Sequence, residues 1–278
     1  MFRTHRAAGP PSFSRRRSVN KQILTSTGET RSRVTRSHAL IAADGHVNTT
    51  LQGWSGAEPV ILISPQMGAR FCLYLITLLS GGTSAPPLPG VERFVYVLDG
   101  ELDLEFSGST HRLALGGYAY LPPDLPHRLT VDAGRTNTAR FTVVERRYIA
   151  KDGHDAPSPL VSTTDDHPGE PFLGDGNLTV RKLLPDEPGF DMAMNTMTFV
   201  PGTPLPFVET HFMEHGLVML SGGGVYRLDD DWYPVTAGDV IWMGPYCPQW
   251  FAATGRADAS YLLYKETNRD PFLFERLS

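Results

Sequence analysis

Two stretches of this chain repeat one another at a fixed offset, and that repetition limits the fold more than any other feature of the sequence. Val95-Tyr96-Val97-Leu98-Asp99-Gly100 resembles Leu217-Val218-Met219-Leu220-Ser221-Gly222, and the two glycines lie 122 positions apart. Leu115-Gly116-Gly117-Tyr118-Ala119-Tyr120-Leu121-Pro122 resembles Ala237-Gly238-Asp239-Val240-Ile241-Trp242-Met243-Gly244 at the same offset. Each copy alternates short apolar runs with Gly turns, the pattern of a meander that folds over to bury one face. With 27 Gly and 23 Pro in 278 residues, breakers are too frequent for long helices, and helix is expected to be scarce. The chain is therefore read as all-β, with two tandem jelly-roll barrels over residues 37–151 and 178–278. A polar, breaker-rich join spans 152–177.

Charge is distributed unevenly. Residues 1–36 carry nine Lys or Arg against the single acid Glu29, which leaves 16 bases against 29 acids in the remainder of a chain whose net charge is −5. Such an acidic body repels a nucleic-acid backbone, so no nucleic-acid partner is expected. The basic leader reads as a disordered extension, with a transit peptide or a nucleic-acid arm as the other readings. No run of apolar residues is long enough for a membrane span. The two cysteines, Cys72 and Cys247, fall one in each copy without metal or redox spacing, so a reduced, cytoplasmic protein is expected.

The second copy concentrates the chemistry. Glu209 and His211 are two residues apart, which places them on one face of a strand, the barrel interior if Phe207 and Met213 continue the alternation. His215 follows, Gly222 comes seven residues later, and Gln249 lies beyond the Gly238-Asp239 turn. Taken alone, a Glu-x-His pair is more often surface polarity than a metal site. This combination, however, matches the two motifs of the cupin superfamily, a His-x-His…Glu…Gly segment followed by a Gly…Pro-x-Gly…His segment. In that register Glu209 and His211 take the two His positions, His215 the Glu position and Gln249 the last His position. A mixed carboxylate, imidazole and amide set suits Mn²⁺ or Fe²⁺. Glu214 points away and is not expected to ligate. In the first copy the same positions hold Pro87, Pro89, Arg93 and His127. The first barrel is therefore expected to be metal-free, with Glu92, Arg93 and His127 in structural or interfacial roles.

The ligand set, the run Glu209-Thr210-His211-Phe212-Met213-Glu214-His215-Gly216 and the ending Tyr264-Lys265-Glu266-Thr267-Asn268-Arg269-Asp270 resemble the (S)-ureidoglycine aminohydrolases, bicupin enzymes of purine-ureide catabolism. Gly189-Phe190-Asp191-Met192, Val225-Tyr226-Arg227-Leu228-Asp229 and Asp231-Trp232 extend the resemblance. It implies Mn²⁺ held at Glu209, His211, His215 and Gln249, and release of ammonia from ureidoglycine to give ureidoglycolate. It also implies substrate contacts from Tyr226, Tyr261 and Lys265. The basic leader departs from the family and bears on location rather than chemistry.

Side-chain chemistry is consistent with that implication. Lys265 offers a compact positive charge to a substrate carboxylate. Loss of ammonia needs a proton donor and addition of water needs a base, and Glu209 is the candidate for both, its other reading being a ligand alone. An Fe²⁺-dependent cupin dioxygenase and a non-catalytic ligand-binding bicupin are the rival readings, because a fold does not choose a reaction. Glu209 and Gln249 speak against the first, and a complete donor set in one copy speaks against the second. The expected partners are a small ureide and further copies of the chain in a homo-oligomer.

Overall fold

In a computed structural model that describes residues 30–274, strands follow the glycine punctuation of the repeat. Val91–Asp99 turns into Leu102–Phe106 in the first copy, and His215–Ser221 turns into Gly223–Leu228 in the second. Gly100 and Gly222 make those turns with φ of 75° and 64°. A Cβ at either position would sit 2.2 Å from the Thr138 carbonyl oxygen or 2.5 Å from that of Asp258. Both the left-handed backbone and the close approach therefore demand glycine.

The first barrel is a nine-stranded antiparallel sheet in which Cys72–Thr83, Thr138–Arg147, Val91–Asp99 and Gly117–Leu121 lie side by side. The second is an eight-stranded sheet closed by a three-stranded one. In the larger sheet, Val240–Met243, His215–Ser221, Ala259–Glu266, Met192–Phe199, Asp175–Lys182 and Glu170–Phe172 are successive neighbours; the smaller joins Asp231–Thr236, Gly223–Leu228 and Gln249–Ala253. Among the described residues, helix is confined to three short 3₁₀ turns and Pro271–Phe274, and no helix is long and apolar enough to cross a membrane.

Alternation along the strands divides the apolar residues among three cores. Val95, Val97, Leu102, Leu104 and Phe141 fill the first barrel, and Leu217, Met219, Phe251 and Tyr261 fill the second. A third core joins the barrels face to face through Phe71, Phe94, Tyr120, Met194, Trp242 and Tyr264. The central strands are thus buried on both faces, which is why their sequences read as continuous apolar runs. Gly216 lets the barrels approach, since a Cβ there would meet the Phe71 ring at 2.5 Å.

Strands are also exchanged across the repeat. His38–Ile41, early in the first copy, pairs with Val240–Met243 of the second sheet. Leu160–Thr163, inside the stretch read as a polar join, pairs with Gly117–Leu121 of the first, and Glu170–Phe172 forms the edge of the second. Leu160 and Val161 carry the first of these pairings by packing on adjoining cores, so breakers at either side bound a strand rather than a loop. The leader mostly lies outside the described residues. Its final residues belong to the fold: Arg33–Val34 pairs with Ala39 and Leu40, and Arg31 donates two hydrogen bonds, 2.7 and 2.9 Å, to the carboxylate of the fully buried Asp239.

Candidate functional site

The segment before His215 is extended but is not a continuous strand. Glu209 makes an isolated bridge to Gln249, each amide donating to the other's carbonyl at 2.8 and 2.9 Å. The expected alternation breaks at Phe207, which is 51% exposed. Pro204 and Pro206 lack a ladder donor, so pairing with Gln249–Ala253 is broken into isolated bridges at Pro204–Ala252 and Glu209–Gln249. The bridge nonetheless sets the ligand candidates on the second barrel's rim, and the Tyr246 amide fixes the next step by donating to the His211 carbonyl at 2.7 Å.

His211 and His215 face each other with ring centroids 4.7 Å apart, and Gln249 Nε2 lies 3.3 Å from His211 Nε2. His215 Nδ1 donates to the Met213 carbonyl at 3.1 Å, which leaves the Nε2 lone pair free, the arrangement in which a histidine binds a metal. Burial, then His211 and Lys265, push His215 down to about 3. Burial and Lys265 likewise lower His211. Both rings are therefore neutral near pH 7, as metal ligation requires. Glu209 is shifted upward by burial against an opposing pull from Lys265.

Glu209, His211, Met213, His215, Asn195 and Lys265 line one cavity of about 370 Å³. Lys265 is directly across from His215 in the sheet, so the two side chains share a face. Among the described residues, no three His, Cys, Asp or Glu side chains stand close enough to hold an ion as placed. The donor chemistry still fits a divalent metal. Two neutral imidazoles and an amide converge, a carboxylate borders the same space, and His211 Nδ1 is buried without a hydrogen-bond partner. An unmet polar atom of this kind is costly unless a ligand completes the site.

Other residues singled out in the sequence fall elsewhere. Tyr226 and Tyr261 are each 2% exposed and do not line the cavity. They sit in the second core against Phe251, where the Tyr261 hydroxyl donates to Met197 Sδ at 3.3 Å. Glu214 turns toward the barrel junction, accepting from Trp242 Nε1 at 2.8 Å and from the Arg70 amide at 3.1 Å. In the first barrel Arg93 fills the equivalent place. Its guanidinium donates to Glu145 Oε1 at 2.6 and 2.8 Å and to His127 Nε2 at 2.9 Å, while His127 Nδ1 donates to the Leu125 carbonyl at 2.8 Å. An organic cation stands there in a closed set of partners. Glu92 also has a structural place, accepting from the Tyr120 hydroxyl at 2.7 Å.

The sequence reading missed Asn195 and the Glu170–Phe172 edge strand, both of which border the cavity. Asn195 had a legible signal: it is a polar residue at a buried position inside Met192–Phe199, a strand whose inward neighbours are apolar.

Comparison with known proteins bears on the fold and the family. The cupin domain family model matches residues 74–145, in the first barrel. A protein of Oryza sativa subsp. japonica described as a probable (S)-ureidoglycine aminohydrolase is 43% identical over 252 residues, 88% of this chain and 78% of its own length. The (S)-ureidoglycine aminohydrolase of Escherichia coli strain K12 is 36% identical over 84% of this chain and 89% of its own. Among solved structures, protein Ylba from E. coli superposes with a TM-score of 0.77 at 34% identity, covering 87% of this chain and 96% of that one. A putative glyoxylate-induced protein from Pseudomonas aeruginosa gives a TM-score of 0.79 at 31% identity, covering 87% and 92%.

Proposed function

The chain belongs to the (S)-ureidoglycine aminohydrolase family, and on that premise we propose that it hydrolyses (S)-ureidoglycine to (S)-ureidoglycolate and ammonia with Mn²⁺ as cofactor. The observation that carries the reading is the meeting of Glu209, His211, His215 and Lys265 on one cavity, with Gln249 against His211. Glu209, His211, His215 and Gln249 would hold the metal. When bound, it supplies Lewis acidity that orients the substrate and stabilises developing negative charge.

The remaining chemistry belongs to the side chains. Lys265 binds the substrate carboxylate and fixes the reacting carbon beside Glu209. Breaking the C–N bond expels ammonia, and the Glu209 carboxyl supplies the proton that the departing nitrogen takes. Forming the C–O bond with water releases a proton, which the Glu209 carboxylate takes back, so the enzyme is regenerated. Tyr226 and Tyr261 support this site from below: burial holds both phenols protonated, and Glu209 lies within electrostatic reach of each.

We assign the protein to the cytoplasm on its two free cysteines, and to a homo-oligomer joined at its sheet edges. The test of function is ammonia release from freshly generated (S)-ureidoglycine by metal-stripped protein, before and after addition of Mn²⁺, with Glu209→Ala as control. Mn²⁺-dependent release above spontaneous decay that is absent in the control is the expected result. Release no faster than decay in metal-loaded protein would refute the assignment.

A further inference from the structure

Asn195 is polar, 9% exposed and set in the cavity wall, yet among the described residues its carboxamide has no hydrogen-bond partner. Its amide therefore faces the cavity with both its donor and its acceptor available to whatever enters.

Its placement is fixed by the sheet. Asn195 pairs across to Lys182 on one neighbouring strand and to Leu263 on the other, so the backbone is held from both sides. Lys265 lies two residues beyond Leu263, on the face that Asn195 shares, and directly across from His215. Asn195 and Lys265 are therefore diagonal neighbours, roughly 7–8 Å apart by sheet geometry. Leu263 and Met197, 8% and 7% exposed, flank the carboxamide, and hydrogen bonds made among such apolar neighbours are strengthened by the low local dielectric.

We propose that Asn195 determines specificity by reading the ureido group of the substrate, while Lys265 holds the carboxylate. The inference rests on the ureidoglycine reading for the identity of the ligand. A primary carboxamide carries both an acceptor oxygen and an N–H donor, and a ureido group presents the complement of each. Asn195 Oδ1 accepts from the terminal ureido nitrogen, and Nδ2 donates to the ureido carbonyl. With its two ends held on adjacent strands, the carbon bearing the amine is turned toward Glu209 and the two histidines. The other lysine at the cavity, Lys182, is exposed and 3.7 Å from Asp186, so it does not compete for that place.

N-carbamoylglycine and N-acetylglycine separate this inference from the aminohydrolase reading, because they share the carboxylate, lack the reactive amine, and differ only in a terminal amino group against a methyl. Calorimetric titration of the full, Mn²⁺-loaded chain should show a preference for the carbamoyl compound of roughly 10-fold or more, as a site built to hydrogen-bond rejects an analogue lacking the group. Asn195→Leu and Asn195→Ala, each verified as folded by thermal melting and unchanged in metal content, should reduce that preference to about 3-fold or less. With (S)-ureidoglycine itself, KM should rise while Mn²⁺ stays bound.

A carbamoyl preference that persists in both variants, or binding of neither analogue by the wild type, overturns the role of Asn195 even if ammonia is released. Absence of turnover with a preference erased in the variants instead overturns the reaction and leaves the ureido-binding role of Asn195 standing.

Discussion

Replacing Arg146 by Met tests how the two barrels are locked together. The Arg146 side chain is 2% exposed, and Nη1 donates to the Asp191 carbonyl at 2.9 Å and to the Tyr264 hydroxyl at 3.0 Å. Its charged neighbours are Glu92 at 3.8 Å and Asp191 and Glu266 at 3.5 Å. These groups come from strands of both barrels, beneath the apolar junction. Methionine fills much of the volume, so the change removes mainly the cation; Glu266 keeps Arg70 at 2.5 Å, but Glu92 and Asp191 lose their buried counter-charge, a loss of about 3–5 kcal/mol. In a domain of this size that corresponds to a melting temperature lower by roughly 10 °C.

The cost should also depend on pH. Burial and Asp191 already hold the Glu92 carboxyl well above its ordinary range, and Arg146 is one of the groups pulling it down. Without Arg146 the folded variant binds protons more tightly than the folded wild type, so its stability falls faster as pH rises through the carboxyl range. The gap in melting temperature, measured by calorimetry at about pH 5 and about pH 8, should therefore be smaller at the lower value. A gap under about 2 °C at the higher pH, or one that is the same at both, would refute the reasoning.

Three further outcomes are expected. His211→Ala and His215→Ala should each abolish Mn²⁺ binding, whereas Lys265→Ala should raise KM and keep the metal, as read by elemental analysis beside kinetics; loss of metal from the Lys265 variant would remove its assigned role. Burial and Arg93 push His127 down to about 4. The unfolded chain then binds the proton first as pH falls below about 6.5, and stability is lost between there and about pH 4, by at most about 3 kcal/mol; His127→Gln should flatten that part of the urea-midpoint profile, and an unchanged slope would contradict it. Leu173 is 72% exposed and adopts φ of 51° beside Gly174 at 86°, the backbone of a two-residue hairpin that favours Asn-Gly. Leu173→Asn should raise stability by about 1 kcal/mol in denaturant melts, and a lower midpoint would show that the leucine is held by contacts instead.

The fold was legible because its determinants are local. Gly100, Gly222, Gly116 and Gly238 all adopt positive φ, and the apolar runs between such turns form the strands they suggest. Strand exchange was not legible. Whether His38–Ile41 pairs with its own copy or the other depends on which barrel edge is open, a property of the assembled sheets and not of a tetrad that is apolar apart from His38. The same limit applies at the site. Motif register pointed to Glu209, His211 and His215, and the family resemblance to Lys265, which line one cavity, but the family's two tyrosines lie in the second core and do not line it. Asn195 went unnoticed because a single polar residue in a strand carries no motif until the sheet shows which face it occupies.

Arg93 shows how equivalent positions of the two copies can carry different side chains within one fold. In the second barrel, the position equivalent to Arg93 is His215, whose neutral ring leaves a lone pair facing the cavity. In the first, the longer arginine carries its own positive charge to Glu145 and donates to His127, the counterpart of Gln249. The Arg93 guanidinium meets the acceptors around it, and Trp54 packs over it at 5.6 Å. The first barrel also supports the second. It contributes Phe71, Phe94 and Tyr120 to the junction, and it braces the outer face of the strands whose inner face carries Asn195, Lys265 and His215. The inner face of those strands is therefore held in place by packing of the first barrel on their outer face, which is a physical reason for the two copies to act as one folded body.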